Sequence, residues 1–335
     1  MLRYIIKRVL LLIPVLVGVV VLVFSFNYFS DASPVYSLVS SNATEEDIAR
    51  VTHELGLDRP YMVQLGEYFK NLITKGDFGT SYIQKQPVWN LVRDRFPVTA
   101  TIGLSAAILS TLIGIPLGII ASVKQNTFFD YISTFIAVVL AALPAFWVCM
   151  ILMLIFSVTL QWTPVTGVAT WKGYILPIVS TALMPIAMTM RMTRSSMLEV
   201  IRQDYVRTAR AKGLPEKVVL WRHTLQNAMI PVMTVVGMNI GLSLTGSVIS
   251  ETIFNISGLG LLMSQSISQK DFILTQSCVL ICAFIVSVMN LLTDIAYAVV
   301  DPRICAEYTT AGKRKKRKKA AVEEEDRDEA MGGSK

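Results

Sequence analysis

The sequence predicts an all-α polytopic membrane protein with six transmembrane helices and a small helical subdomain outside the membrane. Three observations predict it. Of the 335 residues, 53% are apolar and only 16% charged, too little polar surface to cover a soluble domain of this length. The apolar residues fall in long charge-free runs, several of them past the roughly 18–20 residues that a membrane crossing requires. Lys and Arg gather in particular loops, with eight against three acidic residues between Arg191 and Arg222. Basic loops stay on the cytoplasmic face, so both termini are expected inside, in a cell membrane.

The elements follow in order. Arg3, Lys7 and Arg8 precede a charge-free run from Val9 to Ser30. A signal peptide has an apolar region of about 7–15 residues, so residues 1–30 read as an uncleaved first span. Residues 31–97 form the one sizeable polar segment and are expected to be an extracytoplasmic subdomain. Thr44 and Asp47 have the spacing of a capping box, opening a helix toward Leu55. Pro60 opens another, with Met62, Leu65, Phe69, Leu72 and Ile73 along one side. Turns are expected at Gly76 and Gly79, then a short helix from Pro87 to Phe96.

Residues 98–303 are the core, with five further spans. The second runs from Val98 to Val123, and Lys124 marks an inside turn before Asp130. Tyr131 to Trp171 is charge-free and is divided into a third span, about Ile132 to Leu160, and an outside loop from Gln161 to Lys172. Tyr174 to Met190 is the fourth, with Pro177 and Pro185 tolerated where neighbours meet the freed carbonyls. The fifth runs from Pro231 to about Ile249. Glu251 to Lys270 is apolar but broken by Gly258 and Gly260, an outside or re-entrant loop. Phe272 to Val300 is the sixth, ending in Asp301-Pro302-Arg303. Asn290, Asp294, Tyr297 and Asp301 share one face of it. A carboxylate at a bilayer centre costs about 2.5–3.5 kcal/mol on insertion scales, so Asp294 should face protein or water. It serves as a structural tie or as an ion or proton site. The tail, 304–335, carries KRKKRKK and then EEEDRDE, charge blocks that are normally solvated and can rest on anionic lipid.

The loop 191–227 is the most patterned polar stretch. Tyr205, Val206 and Ala209 give a short helix an apolar side, and Arg207, Arg210 and Lys212 supply charge. Gly213 stops it, and Pro215 suits the first turn of a second helix with Val218, Trp221 and Leu225 on one face. Two readings fit: a basic loop that fixes topology, or a rigid knob on which another protein docks.

Several functions are disfavoured. The sequence contains no G-x-x-x-x-G-K-[ST], so no Walker loop holds ATP here, and neither HExxH nor GxSxG occurs. Cys149, Cys278 and Cys282 lie within apolar runs and Cys305 just after one, as buried small residues would, with no metal-like pairing to the two histidines. The net charge of +7 sits at loops and tail, without a nucleic-acid fold motif; the bilayer is the expected partner. No catalytic residue, metal or cofactor is expected in this chain.

The loop resembles the cytoplasmic EAA loop of ABC importer permeases, whose pattern is Glu-Ala-Ala, three residues, Gly, nine residues, then Ile-x-Leu-Pro. Arg207, Thr208 and Ala209 stand at the first positions, Gly213 at the glycine, and His223 to Gln226 at the last. The form RTARAKG…RHTLQNA…P is similar to that of the first permease subunit of dipeptide/oligopeptide importers. GLDRP (56–60), GDFGTS (76–81), RFPVT (95–99), the opening RYIIKRVLLLIP and the closing NLLTDIAYAVVDPR resemble the same family. Ser257 stands where the family's Pro-Gly-Leu-Gly has proline.

The resemblance implies the type I importer architecture: this permease, a second homologous permease, two ATPase subunits that bind ATP and Mg, and an extracytoplasmic substrate-binding protein. Tyr205, Arg207, Thr208, Ala209, Arg210, Lys212, Gly213 and His223 are then the residues that couple to the ATPase. Nickel chelates and glutathione are alternative cargoes within the family. Outside it stand an ion-gradient-driven transporter using Asp294 and a non-transport membrane scaffold.

Overall fold

The computed structural model describes residues 2–30, 34–39 and 43–300, and every regular element among them is a helix. The main ones are α1 (Leu2–Tyr28), α2 (Glu45–Glu54), α3 (Tyr61–Lys75), α4 (Val88–Val123), α5 (Phe128–Ala142) and α6 (Ala145–Leu152). They continue with α7 (Ile175–Ile201), α8 (Asp204–Ala211), α9 (Gln226–Leu244), α10 (Val248–Ile253), α11 (Leu259–Ser268) and α12 (Phe272–Val300). Asp301-Pro302-Arg303, Cys305 and the charged tail lie outside the described residues.

Five stretches are long and apolar enough to cross a membrane: Arg8–Tyr28, Val88–Val123, Trp171–Ile201, Glu216–Ile253 and Phe272–Ile295. The sixth crossing is bent. Helices α5 and α6, with the π-helical turn Met153–Thr159 that follows, meet at an angle of 101°. Leu143 is extended and Pro144 lacks an N–H, so the helix breaks there. Asp130 at the start of α5 lies beside Arg194 near the end of α7, whereas Cys149 of α6 packs with Leu176 at the start of α7. The pair therefore traverses the bundle once. The sequence reading, a straight third span, missed this bend.

The centre of the bundle is the crossing of α4 and α7. Small residues let the two backbones approach: a Cβ on Gly118 would lie 2.5 Å from Thr193 Cβ and 2.7 Å from the Met190 carbonyl. Helix α9 packs on α7 and α12, and α1 lies along α12 at the edge. Pro177 falls in the first turn of α7, where no N–H partner is needed, and Pro185 lies inside it.

Four boundaries differ from the sequence reading. The Pro87–Phe96 helix and the second span are one helix of 36 residues, α4, so the expected border at residue 97 falls within it. Helix α7 extends 11 residues past Met190, into the basic loop. The fifth span starts before Pro231, because Glu216–Val218 and a π-helical stretch, Val219–Leu225, run directly into α9. The Glu251–Lys270 stretch is largely helical, with α11 entered through Gly258.

The subdomain is smaller than a domain with its own core; α2 and α3 contain no buried residue. The Thr44–Asp47 capping box forms as the spacing predicts. Leu65, Phe69 and Leu72 of the α3 stripe are half-buried, but Met62 and Ile73 are 75% and 77% exposed. Tyr61 anchors α3 to α1 through Ser25 Oγ at 2.8 Å and the rings of Phe24 and Tyr28. The GDFGTS turn is fixed by Asp271, which is fully buried. Its carboxylate accepts from Ser81 Oγ and from the Tyr82 and Ile83 N–H groups, and also caps α12 through Leu274 N–H.

Candidate coupling site at the Gly213 joint

Helix α8 has two faces that its sequence dictates. Val206 and Ala209 are buried against Val200 at the end of α7 and Val219 at the start of the fifth span. Arg207, Thr208 and Lys212 are exposed. Tyr205, expected on the apolar face, is instead 45% exposed, because its position leaves that face one residue before Val206.

Gly213 ends α8 with φ +76°. Its N–H donates to the Arg210 carbonyl at 2.9 Å and the Leu214 N–H donates to the Ala209 carbonyl at 3.4 Å, the paired bonds of a Schellman cap. Across the joint, Arg210 Nε and Nη2 donate to Glu216 Oε2 and Oε1 at 3.1 and 2.7 Å. This fork holds the Arg210 guanidinium above its ordinary pKa. The joint is thus closed by backbone, by an ion pair and by an apolar plug at once.

The segment after the joint corrects the sequence reading. The second helix is no separate short element but the start of the fifth span. In the π-helical stretch the buried residues are Val219 and Thr224, five apart, while Val218 is 36% and Trp221 57% exposed. His223 is carried on this stretch, half-buried, with its carbonyl accepting from Asn227 Nδ2. Outward from the joint the element displays Tyr205, Leu214, Val218 and Trp221 among Arg207, Lys212, Lys217 and Arg222.

Two ties, one at each end of the bundle, had no signature in the sequence reading. Arg194 of α7 donates from Nε and Nη2 to both carboxylate oxygens of Asp130 at 2.6 and 2.8 Å, and Asp130 is 2% exposed. Glu251, 1% exposed, accepts from Thr99 Oγ1 at 2.9 Å and the Leu261 N–H at 3.0 Å. Thr99 Oγ1 accepts in turn from the Leu259 N–H. A Cβ on Gly258 would come 2.4 Å from Glu251 Oε2, so the glycine makes room for the carboxylate. Glu251 therefore joins the RFPVT segment to the Ser-Gly-Leu-Gly turn.

The intramembrane polar residues form a different locus, on α12. Asp294 Oδ2 lies 2.8 Å from Arg8 Nη1 of α1, an ion pair between two spans. Asn290 is exposed, and the Tyr297 side chain lies outside the described residues.

The chain is thus a helical membrane bundle, five long crossings and one bent pair, with a basic joint between the fourth and fifth crossings. The chain belongs to the family of binding-protein-dependent transport system inner membrane components, matched over residues 114–305, with the N-terminal component of that membrane protein matched over 1–103. It is 38% identical over 332 residues to the dipeptide transport system permease protein DppB of Alkalihalophilus pseudofirmus, across 91% of this chain and 99% of that protein. It is 40% identical over 304 residues to the glutathione transport system permease protein GsiC of Salmonella choleraesuis, with the same coverage, 91% and 99%. Among solved structures, the MetNI methionine ABC transporter in an inward-facing conformation shares the fold, at a TM-score of 0.53 and 14% identity over 63% of this chain and 96% of that one. The chain is a multi-pass inner-membrane permease of an ABC importer, not itself a catalytic subunit, homologous to dipeptide and glutathione permeases.

Proposed function

We propose that this chain forms, with a second homologous permease, the pathway for di- or oligopeptides delivered by an extracytoplasmic binding protein. Two ATPase subunits hold ATP and Mg, and the Gly213 joint seats on one of them. Both termini then lie in the cytoplasm and α2–α3 face the binding protein. One observation carries the reading: α8 is wedged between Val200 of α7 and Val219 of the fifth span, with the Arg210–Glu216 pair bridging the joint. A force applied to α8 is delivered to two crossings together. Closure of the ATPase pair would move α8, and the α7 and α9 crossings would turn with it, switching the side to which the pathway opens.

The test is reconstitution of the complete complex with its binding protein, measuring ATP hydrolysis against a panel of solutes. Stimulation by di- or oligopeptides is expected. Stimulation by glutathione or a nickel chelate alone would reassign the cargo, and uptake driven by an ion gradient without ATP would overturn the mechanism.

A further inference from the structure

Helix α1 lies along α12 but stands off α4, leaving a cleft of about 750 Å³ between them. The size is that of a small-molecule site. Its walls include Val17, Phe69, Trp89, Phe96 and Phe284, and every lining residue is apolar except Arg93. Helix α3 roofs it. That helix is amphipathic, buries no residue and exposes Met62 and Ile73, as a helix lying in the headgroup plane does. Trp89, stacked on Phe78 and 53% exposed, marks the same level. Arg93 comes one turn further along α4 from Trp89, near the start of that helix. It is exposed and makes no ion pair among the described residues.

We infer that this cleft is a phospholipid site: an acyl chain fills the α1–α4 cleft and the lipid phosphate sits on the Arg93 guanidinium. One molecule satisfies both halves of the surface. Guanidinium–phosphate pairing is charge-assisted and bidentate, and the apolar walls take the chain out of contact with water. An apolar helix of another chain would cover the walls but bring no anion to the exposed Arg93 at the cleft mouth. The lipid would come from the leaflet on the α2–α3 side. It would fill the gap beside α1 and steady a helix that otherwise packs mainly on α12.

The assembled complex, placed in vesicles containing phosphatidylglycerol with a photoactivatable group midway along one acyl chain, tests this. Adducts are expected on peptides covering 69–73, 89–96 and 280–285. Arg93→Glu should lower their yield roughly tenfold, the scale of one lost charge-assisted pair, while adducts at the exposed Ile113 and Leu117 of α4 stay unchanged. Arg93→Lys should keep most of the yield, and Arg93→Gln serves if the Glu variant does not assemble. Equal labelling over all lipid-facing helices, or cleft labelling indifferent to Arg93→Glu and Arg93→Gln, overturns the site. Cross-links from the cleft to another polypeptide in place of lipid overturn it as well.

Discussion

Gly213 has open space where a Cβ would go but a backbone that side chains resist, with φ +76°. Substitution there meets strain and no neighbour. Gly213→Ala should destabilise by about 1–2 kcal/mol and Gly213→Val by more, whereas Gly213→Asn, which tolerates the left-handed region, should be nearly silent. Thermal unfolding of the purified complex gives the order, and equal effects of Asn and Val would contradict it. Glu251 is the opposite case, a group defined by its neighbours. Glu251→Ala leaves the buried Thr99 hydroxyl and the partly buried Leu261 N–H without their acceptor and should cost about 1–3 kcal/mol. Combined with Thr99→Ala the loss should be less than additive, since both residues belong to one network; additive losses in denaturation would separate them. The difference in legibility has a physical basis. Gly213 closes a local amphipathic pattern and is followed by Pro215, so neighbouring residues announce it. Glu251 bonds to Thr99, 152 residues away, and no local periodicity encodes that.

Helix α8 was legible for the same reason, since Val206 and Ala209 fall on one face and do bury. The element after it was not. An α-helical period places Val218, Trp221 and Leu225 inward, but one extra residue per turn in the π-helical stretch turns Val219 and Thr224 inward instead. Single-residue changes of register leave composition unchanged, so sequence reading passes over them. The 101° bend at Pro144 was hidden likewise, within a uniformly apolar run. Ties between elements explain how the joint is backed: Asp130 and Arg194 clamp the start of α5 to the end of α7. Arg194→Ala strands a buried carboxylate and should destabilise by about 3 kcal/mol, the low end for a broken buried pair because Arg194 is 27% exposed. A double-mutant cycle with Asp130→Ala should recover part of that loss; a cycle with no coupling would deny the clamp.

For the whole molecule, the long charge-free runs and the basic loops sufficed to give the helical membrane class and the number of crossings, because the bilayer allows few alternatives. They could not give the contacts that unite the crossings, such as Asp294 with Arg8 or Asp271 with the turn at Ser81, since each joins distant parts of the chain. These ties, with the α4–α7 crossing, make the bundle a body that can pass on motion received at one place. That place is α8, the centre of the proposed coupling. Its most direct test is a single cysteine at the exposed Thr208, in the otherwise native complex, treated with a short bifunctional cross-linker from the cytoplasmic side. A link to an ATPase subunit, changing in yield when ATP binds, is the predicted result. A cysteine that reacts only from the outside, or that never links to an ATPase in a complex active in transport, would contradict the account.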